Sequence, residues 1–214
     1  MNNRYRVAGY EGEFESGSDG LVLRNKVGIT TTADMDDLEL SLLAQLYQEV
    51  LSQQLPTHRL SMTDLRDWHR WWLGNVYEWA GQERSVNMSK GGFGFAAVAQ
   101  VPRLLQEFES HCLSRWTPCD SLGLDDLVEA IAVTHVEFIL IHPFRDGNGR
   151  LSRLLADVMA VQAGHEPLDY SVWELRKHDY VKAIHAGLAR NYALMCELVR
   201  EALTAGDTNL NEPA

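Results

Sequence analysis

The segment LDDLVEAIAVTHVEFILI, residues 124–141, constrains the fold of this chain more than any other stretch. From Leu127 onward it is apolar on nearly every side of a helix, and a helix of that kind is buried at the centre of a protein. His142 and a Gly-Asn-Gly turn follow shortly after the apolar run ends. The sequence therefore predicts a central helix with a group of polar residues at its C-terminal end.

Amphipathic helices that can surround this segment are predicted on both sides of it. Ser61 with Asp64 resembles a capping box, and Gly81 stands where the C-terminal cap of the same helix is expected. Two short runs flank Gly91-Gly92, a pair that favours a tight β-hairpin. The fold class predicted is an all-α bundle with one small β-hairpin. Apolar periodicity predicts helices over 33–50, 61–81, 98–113, 149–164 and, in two or three pieces, 171–204.

The second of these helices carries a stripe of large apolar residues that permits two interpretations. The stripe could stack nucleic-acid bases, but its helical spacing favours packing in the core. A net charge of −11 also argues against a general nucleic-acid binder. The residues of the stripe are Trp68, Trp71, Trp72, Val76 and Trp79.

The 214 residues suit one domain with a sizeable core. We expect a flexible lead-in over 1–19, the domain over 20–204 and a flexible tail over 205–214. No apolar run is long enough to span a membrane, and the N-terminus lacks the pattern of a secretory signal. The three cysteines form no disulfide framework or zinc knuckle, which predicts reduced thiols and a cytoplasmic location. Export without a signal sequence remains an alternative.

The stretch IHPFRDGNGRLSRLL, residues 141–155, concentrates the chemistry of the chain. A helix that opens after Gly147 and Gly149 offers unpaired N–H groups and a positive dipole end, without Cβ atoms in the way, and these suit phosphate. Arg150 and Arg153 lie on one face of that helix and match phosphate oxygens. Asp146 is placed to hold Mg²⁺ against them. His142 can act as a base for a hydroxyl.

Two metal sites that the sequence suggests fit poorly. Asp146 and Asn148 begin like a calcium loop, but Arg150 and Leu151 stand at its fifth and sixth positions and the twelfth is not Glu. His135 and His142 are seven residues apart with no third zinc ligand nearby, so a hydrogen-bonded core histidine is the better interpretation of His135.

The whole string HPFRDGNGRLSR, residues 142–153, matches every position of the HxFx[DE]GNGRxxR motif of the Fic family. The segments LVLRNKVGIT, YEWAGQERSVNMSKGGFGFA and ARNYALM are similar to further parts of that family. In all, the resemblance covers residues 20 to 200 or thereabouts. It implies a Fic-type helical bundle and an enzyme that moves AMP from ATP to a Ser, Thr or Tyr hydroxyl of a target protein, with release of pyrophosphate.

The resemblance also implies a role for each residue of the motif. His142 is the general base, and Asp146 holds Mg²⁺ against the α- and β-phosphates. The turn forms the anion hole, with the Asn148 side chain near the α-phosphate. Arg150 and Arg153 hold the β- and γ-phosphates. The three residues of the turn are Gly147, Asn148 and Gly149.

Outside the motif, the resemblance identifies the hairpin as the family's flap, which aligns the target segment through main-chain bonds. An exposed strand edge beside an active site suits that role, although Phe93 and Phe95 could equally pack in the core. The flap residues in question are Lys90, Gly91, Gly92 and Phe93.

The resemblance also implies that adenine lies against the C-terminal helices. Asn191 and Tyr192 are the candidates to contact it, and a helix cap is the plainer alternative for this pair.

Many relatives are inhibited by a helix with the pattern [ST]xxxE[GN], whose glutamate pairs with the second arginine of the motif, here Arg153. Only Glu11 is followed by Gly or Asn, and Val7 stands four residues before it. We therefore expect a small antitoxin to supply the inhibitory helix in trans, which would make this chain a toxin. The alternative is a divergent inhibitory segment within the chain.

Two other functions are compatible with the sequence. The first is phosphate transfer on the same fold, and the second is a non-catalytic module that binds nucleotide.

Overall fold

A computed structural model of the chain describes residues 12–209. The described part is mostly helical and contains one antiparallel two-stranded hairpin, which confirms the predicted fold class. The strands are β1 (Ser89–Lys90) and β2 (Phe93–Gly94). The helices are α1 (Thr32–Tyr47), α2 (Met62–Leu73), α3 (Val101–Phe108), α4 (Ser114–Trp116), α5 (Leu124–Ile141), α6 (Asn148–Gln162), α7 (Ser171–Leu175), α8 (Lys177–Ala186) and α9 (Ala193–Asn209).

Helix α5 is the centre of the molecule. It packs against α3, α6, α8 and α9, and from Leu127 onward most of its residues are buried, as its apolar sequence requires. Helix α6 packs against it and is itself buried over most of its length. Helices α1 and α2 pack together, and α2 also contacts α6. The motif therefore lies where two largely buried helices, α5 and α6, meet.

Two helices continue as π-helical turns. Gln48–Gln53 follows α1 directly, and Glu109–Leu113 joins α3 to α4. Short 3₁₀ turns precede α3 at Val98–Gln100 and follow α8 at Gly187–Ala189. None of the helices in the described part of the chain is long and apolar enough to cross a membrane.

Helix α2 ends earlier than the sequence predicts. The capping box of Ser61 and Asp64 is present, but the helix stops at Leu73 and the chain turns through 74–82 instead of remaining helical to Gly81. Contacts distant in sequence hold this turn, since the Lys26 N–H donates to the Val76 carbonyl. The apolar stripe is therefore divided: Trp72 is fully buried, whereas Trp71 is 46% exposed.

Parts of both predicted terminal segments lie within the described residues. Phe14 forms a β-bridge with Leu23, so the chain before residue 20 folds back on the segment that follows it. Helix α9 continues to Asn209, which makes the first part of the predicted tail helical. The rest of the predicted lead-in and tail, residues 1–11 and 210–214, lies outside the described residues.

Candidate active site

His142 is the C-terminal cap of α5 and has left-handed backbone angles, with φ 52° and ψ 61°. Such angles are uncommon for a residue other than glycine. The His142 N–H donates to the Phe138 carbonyl at 2.9 Å, and the fully buried Phe144 anchors the chain just beyond. The loop is therefore held on both sides of the histidine.

The ring of His142 has a defined tautomer and charge. Its Nδ1 lies 3.2 Å from the Ile139 carbonyl oxygen, which can only accept, so Nδ1 carries the hydrogen and Nε2 keeps the lone pair. Burial, helped by the positive charge of Arg84, lowers the pKa of His142 to about 3. The imidazole is neutral at pH 7 and has the form that a general base requires.

The N-terminus of α6 is open to an anion. Gly147 caps it with φ +80°, and a Cβ at this position would lie 2.7 Å from the Trp72 ring, so only glycine fits. Gly149 is exposed, and no atom lies within 4 Å of where its Cβ would be. The first N–H groups of a helix have no partner within it, and its dipole is positive at this end. A phosphate can therefore approach the backbone at this turn.

The Asn148 side chain makes two hydrogen bonds within the loop. Its side-chain Oδ1 accepts from the Phe144 N–H at 2.9 Å, and its Nδ2 donates to the Phe144 carbonyl at 2.7 Å. The residue is buried, and both ends of the amide are bonded to the loop backbone. The Asn148 side chain thus braces the loop before α6, and its contact with an α-phosphate stays a prediction.

Arg150 is held by a buried glutamate on α1. Its Nη1 lies 2.6 Å from Oε2 of Glu39, and its Nη2 lies 3.4 Å from Oδ1 of Asp146. The guanidinium also lies over the Trp72 ring, 4.5 Å from its centroid. Glu39 is 1% exposed and accepts a second bond, from the Tyr77 hydroxyl at 2.7 Å.

Arg153 is one helical turn further along α6 and already has a carboxylate partner. Its Nη2 lies 2.8 Å from Oε1 of Glu174, on α7, and its guanidinium lies over the Tyr170 ring. The Glu174 side chain is 60% exposed. The guanidinium of Arg153 is therefore accessible from solvent and is held by a contact that water weakens.

Asp146 is placed between the arginine and the turn. Its Oδ1 accepts from the Gly147 N–H at 2.6 Å, besides its contact with Arg150. A single carboxylate beside a phosphate site suits Mg²⁺, which commonly takes one or two protein carboxylates and completes its shell with phosphate oxygens and water. Within residues 12–209, no group of three or more His, Cys, Asp or Glu side chains is placed to hold a metal ion.

His135 lies outside this site. It is buried on α5, its Nε2 is 2.9 Å from the Tyr180 hydroxyl, and burial lowers its pKa to about 3. These contacts agree with its interpretation as a hydrogen-bonded core histidine.

The flap contacts His142 through the stacked ring of Phe95. The flap residues Lys90, Gly91 and Gly92 are exposed at the tip of the hairpin, while Phe93 stacks on His185 of α8 with ring centroids 4.4 Å apart. Phe95 stacks on His142 at 3.7 Å, with an angle of 14° between the planes. The two phenylalanines thus belong to the wall of the site, half-buried, and not to the helical core.

The two adenine candidates have partners within the protein. Oδ1 of Asn191 accepts from the Ala193 N–H at 3.2 Å and caps α9, as the plainer interpretation of the pair suggests. The Tyr192 hydroxyl donates to the Glu137 carboxylate. These contacts do not bring either side chain to the motif, and adenine binding by Asn191 and Tyr192 stays a prediction.

Sequence reasoning missed three residues of this site. Glu39 resembles one more charge on an amphipathic helix, Glu174 lies outside the inhibitory pattern, and Arg84 lies in a turn without periodicity. Each acts through contacts with residues distant in the chain. No local pattern could have indicated them.

Comparison with known proteins agrees with this geometry. A family model described as the Fic/DOC family matches residues 59–160. The chain is 30% identical, over 160 residues, to the "Probable protein adenylyltransferase y4lH" of Sinorhizobium fredii, covering 73% of this chain and 79% of that protein. It is 27% identical to the "Protein adenylyltransferase VbhT" of Bartonella schoenbuchensis, covering 88% of this chain but only 38% of the relative.

Solved structures share the fold. The BepC effector of Bartonella tribocorum, solved with bound AMPPNP, superposes with a TM-score of 0.72 at 21% identity, covering 88% of this chain and 94% of that one. A Fic domain from Bartonella quintana with bound ADP gives a TM-score of 0.72 at 23% identity, covering 88% and 92%. At these identities the likeness establishes the fold alone.

Proposed function

The chain belongs to the Fic/DOC family, and we propose that it transfers AMP from ATP to a Ser, Thr or Tyr hydroxyl of a target protein. Its enzyme class is that of its curated relatives, the protein adenylyltransferases. One observation carries the proposal: a neutral histidine, the open N-terminus of α6 and two arginines meet at one end of the α5–α6 pair.

The proposed reaction begins with His142. Its Nε2 lone pair takes the proton of the target hydroxyl, and the hydroxyl oxygen bonds to the α-phosphorus of ATP. The bond from the α-phosphorus to the oxygen that bridges to the β-phosphorus breaks, and pyrophosphate leaves with that electron pair. The Nδ1–H bond to the Ile139 carbonyl holds the tautomer during this step.

The N-terminus of α6 and the two arginines support the binding of the triphosphate. Backbone N–H groups around Gly147–Gly149 would stabilise the charge that develops on the α-phosphate. Arg150 and Arg153 would then bind the β- and γ-phosphates with their guanidinium forks. Asp146 would hold a Mg²⁺ ion, which supplies neutralisation of charge on the departing pyrophosphate.

The flap is the proposed docking site for the target. Ser89 and Lys90 form an exposed strand of the hairpin whose Phe95 stacks on His142, and an extended peptide can add to such an edge through main-chain hydrogen bonds. The bonds would place a hydroxyl side chain of the peptide near the histidine.

Labelled nucleotide tests the proposed function. We expect host-lysate proteins to be labelled when the chain is given Mg²⁺ and ATP carrying label at the α-phosphate, but not when the label is at the γ-phosphate. Label transferred from the γ-position would instead indicate a phosphotransferase. Binding of ATP with no labelling at all would indicate a non-catalytic module and contradict the proposal.

The rate of transfer should be insensitive to mild acid. A histidine with the ordinary pKa of 6.5 would be about nine-tenths protonated at pH 5.5, whereas His142, with its pKa near 3, stays neutral. We expect kcat/KM for Mg²⁺-bound ATP to change less than about twofold between pH 7.5 and pH 5.5. Initial rates of α-label incorporation measure this. A fall of about tenfold, with an inflection near pH 6.5, would show that the base has an ordinary pKa.

We also propose that inhibition of this enzyme comes mainly from a separate small antitoxin, with this chain as the toxin. The chain lacks the [ST]xxxE[GN] pattern, although Glu174 does contact Arg153. Tyr170 stands four residues before Glu174 and Leu175 follows it, so this contact is not the inhibitory motif. A largely exposed carboxylate on a five-residue helix competes weakly with a triphosphate.

Replacing Glu174 with Gln tests how weak this competition is. An exposed ion pair contributes at most about 1 kcal/mol, so we expect ATP affinity to rise by about fivefold or less. Calorimetry of ATP binding measures the change, and Glu201→Gln is the control, because Glu201 forms a similar ion pair with Arg176. A rise of a hundredfold or more, accompanied by faster transfer, would show that the chain inhibits itself.

A further inference from the structure

Arg84 is a buried arginine in the turn between α2 and the flap. It is 3% exposed, and its backbone N–H donates to the Pro143 carbonyl at 2.8 Å. A buried guanidinium is costly unless its N–H groups find acceptors. The acceptors of Arg84 lie in two segments that the proposed reaction needs to hold in place: the C-terminal end of α5 and the two ends of the flap.

The first set of acceptors is the C-terminal end of α5. Nε of Arg84 donates to the His142 carbonyl at 2.7 Å, and Nη2 donates to the Ile141 carbonyl at 3.2 Å. The last carbonyls of a helix have no partner within it, and a positive charge at that end is favourable. These bonds hold the backbone of His142 in its left-handed conformation.

The second set of acceptors flanks the flap. Nη1 of Arg84 donates to the Val86 carbonyl, before β1, and Nη2 donates to the Ala96 carbonyl, after β2. One planar guanidinium therefore joins both ends of the hairpin to the backbone of the proposed base. Lysine has neither the planar fork nor enough donors in this geometry to replace it.

A ring contact reinforces the same connection. Phe95, which follows β2, stacks on the imidazole of His142 with centroids 3.7 Å apart. The next residue, Ala96, donates its N–H to the Leu140 carbonyl at 3.1 Å. The flap is thus joined to the end of α5 by backbone, guanidinium and ring contacts.

We propose that Arg84 and Phe95 are positioning residues that hold the flap and His142 as one unit, so that a target peptide on the flap presents its hydroxyl in register with Nε2. This inference rests on the proposed function, because it needs a target that docks on the flap. Neither residue takes part in the transfer itself. Both act by fixing the distance between the docked peptide and the base.

The test compares Arg84→Lys and Phe95→Leu with the wild type and with Arg66→Lys. Arg66 is a matched control, since it is an arginine that binds the same turn through an ion pair with Glu83. Two quantities are measured: the kinetics of α-label incorporation from ATP into lysate proteins, and amide hydrogen exchange of the segment 86–96.

We expect Arg84→Lys and Phe95→Leu to lower kcat by about 10- to 100-fold while the KM for ATP stays within about twofold, because misplacement of a reacting group affects the chemical step. Amides of 86–96 should exchange faster in both variants, whereas Arg66→Lys should match the wild type. If Arg84→Lys does not fold, Phe95→Leu alone decides the outcome, since its half-buried ring is replaced by another apolar group.

Three results separate the inference from the function on which it rests. Wild-type kcat and exchange in both variants would overturn the coupling. A raised KM for ATP with unchanged kcat would also overturn it, because the two residues would then act on the nucleotide. Absence of labelling by the wild type would refute AMP transfer, while the exchange of 86–96 would still show whether Arg84 and Phe95 hold the flap.

Discussion

Replacing His142 with Ala is expected to lower the rate of AMP transfer about 10²- to 10⁴-fold, the usual contribution of a general base. Binding of ATP should change little, because the triphosphate is proposed to contact the α6 N-terminus and the arginines and not the imidazole. The reason for the large effect is local: His142 is held neutral by burial, and its Nδ1 bond leaves Nε2 as the ring nitrogen with a lone pair.

Two further variants make this result specific. His142→Asn is the better test of chemistry, because Asn tolerates the left-handed backbone of this position more readily than Ala does. His58→Ala is the control, since His58 is an exposed histidine that pairs with Asp64 near the start of α2. Labelling by His142→Asn at the wild-type rate, with ATP binding intact, would refute the assignment of the base.

The same variants test the proposed toxicity. Expression of the wild type without a partner should slow growth of the host, and His142→Asn at equal abundance should not. Equal growth of the two, with labelling clearly present in the wild type, would separate AMP transfer from toxicity and leave the antitoxin proposal without support.

The parts of the fold that sequence could predict are those fixed by local chemistry. The apolar run of α5 specifies a buried helix, Gly91-Gly92 specifies a hairpin, and Gly147 specifies a turn that no other residue fits. The motif then places its residues at adjoining helix ends. Each of these features depends on residues within a few positions of one another.

The parts that sequence could not predict depend on distant partners. The early end of α2 is held by contacts of 74–82 with other segments, including the bond from Lys26 to Val76. The sequence also does not show that both ends of the Asn148 amide bond to the backbone of Phe144. The residue types at these positions are visible in the sequence, but the hydrogen-bond partner of each is not.

Glu39 is the extreme case of a distant partner, and its replacement should have the largest effect on stability. We expect Glu39→Ala to lower the free energy of unfolding by about 3 kcal/mol, which corresponds to about 10 °C in Tm for a chain of this size. The carboxylate is fully buried, and it joins α1 to Arg150, which lies 111 residues further along the chain. Its removal leaves the Tyr77 hydroxyl and one end of the Arg150 guanidinium without their acceptor.

Glu39→Gln separates charge from hydrogen bonding. The amide can still accept from Tyr77, whose pKa is raised by burial and by the Glu39 carboxylate, so that its hydroxyl keeps its proton and donates. Arg150 would lose its charged partner but keep its contacts with Asp146 and the Trp72 ring. We therefore expect Glu39→Gln to cost about half as much stability as Glu39→Ala.

Thermal unfolding at pH 7.5 measures both effects, with Asp37→Ala as the control because Asp37 is an exposed acid on the same helix. An Asp37→Ala protein should unfold within about 2 °C of the wild type, since exposed substitutions rarely matter. If Glu39→Ala also unfolds there, the pair with Arg150 gives no net stabilisation, because the cost of burying the Glu39 carboxylate equals its attraction to the partly exposed arginine. Glu39 would then serve only to orient the arginine, and its loss would appear in ATP affinity alone.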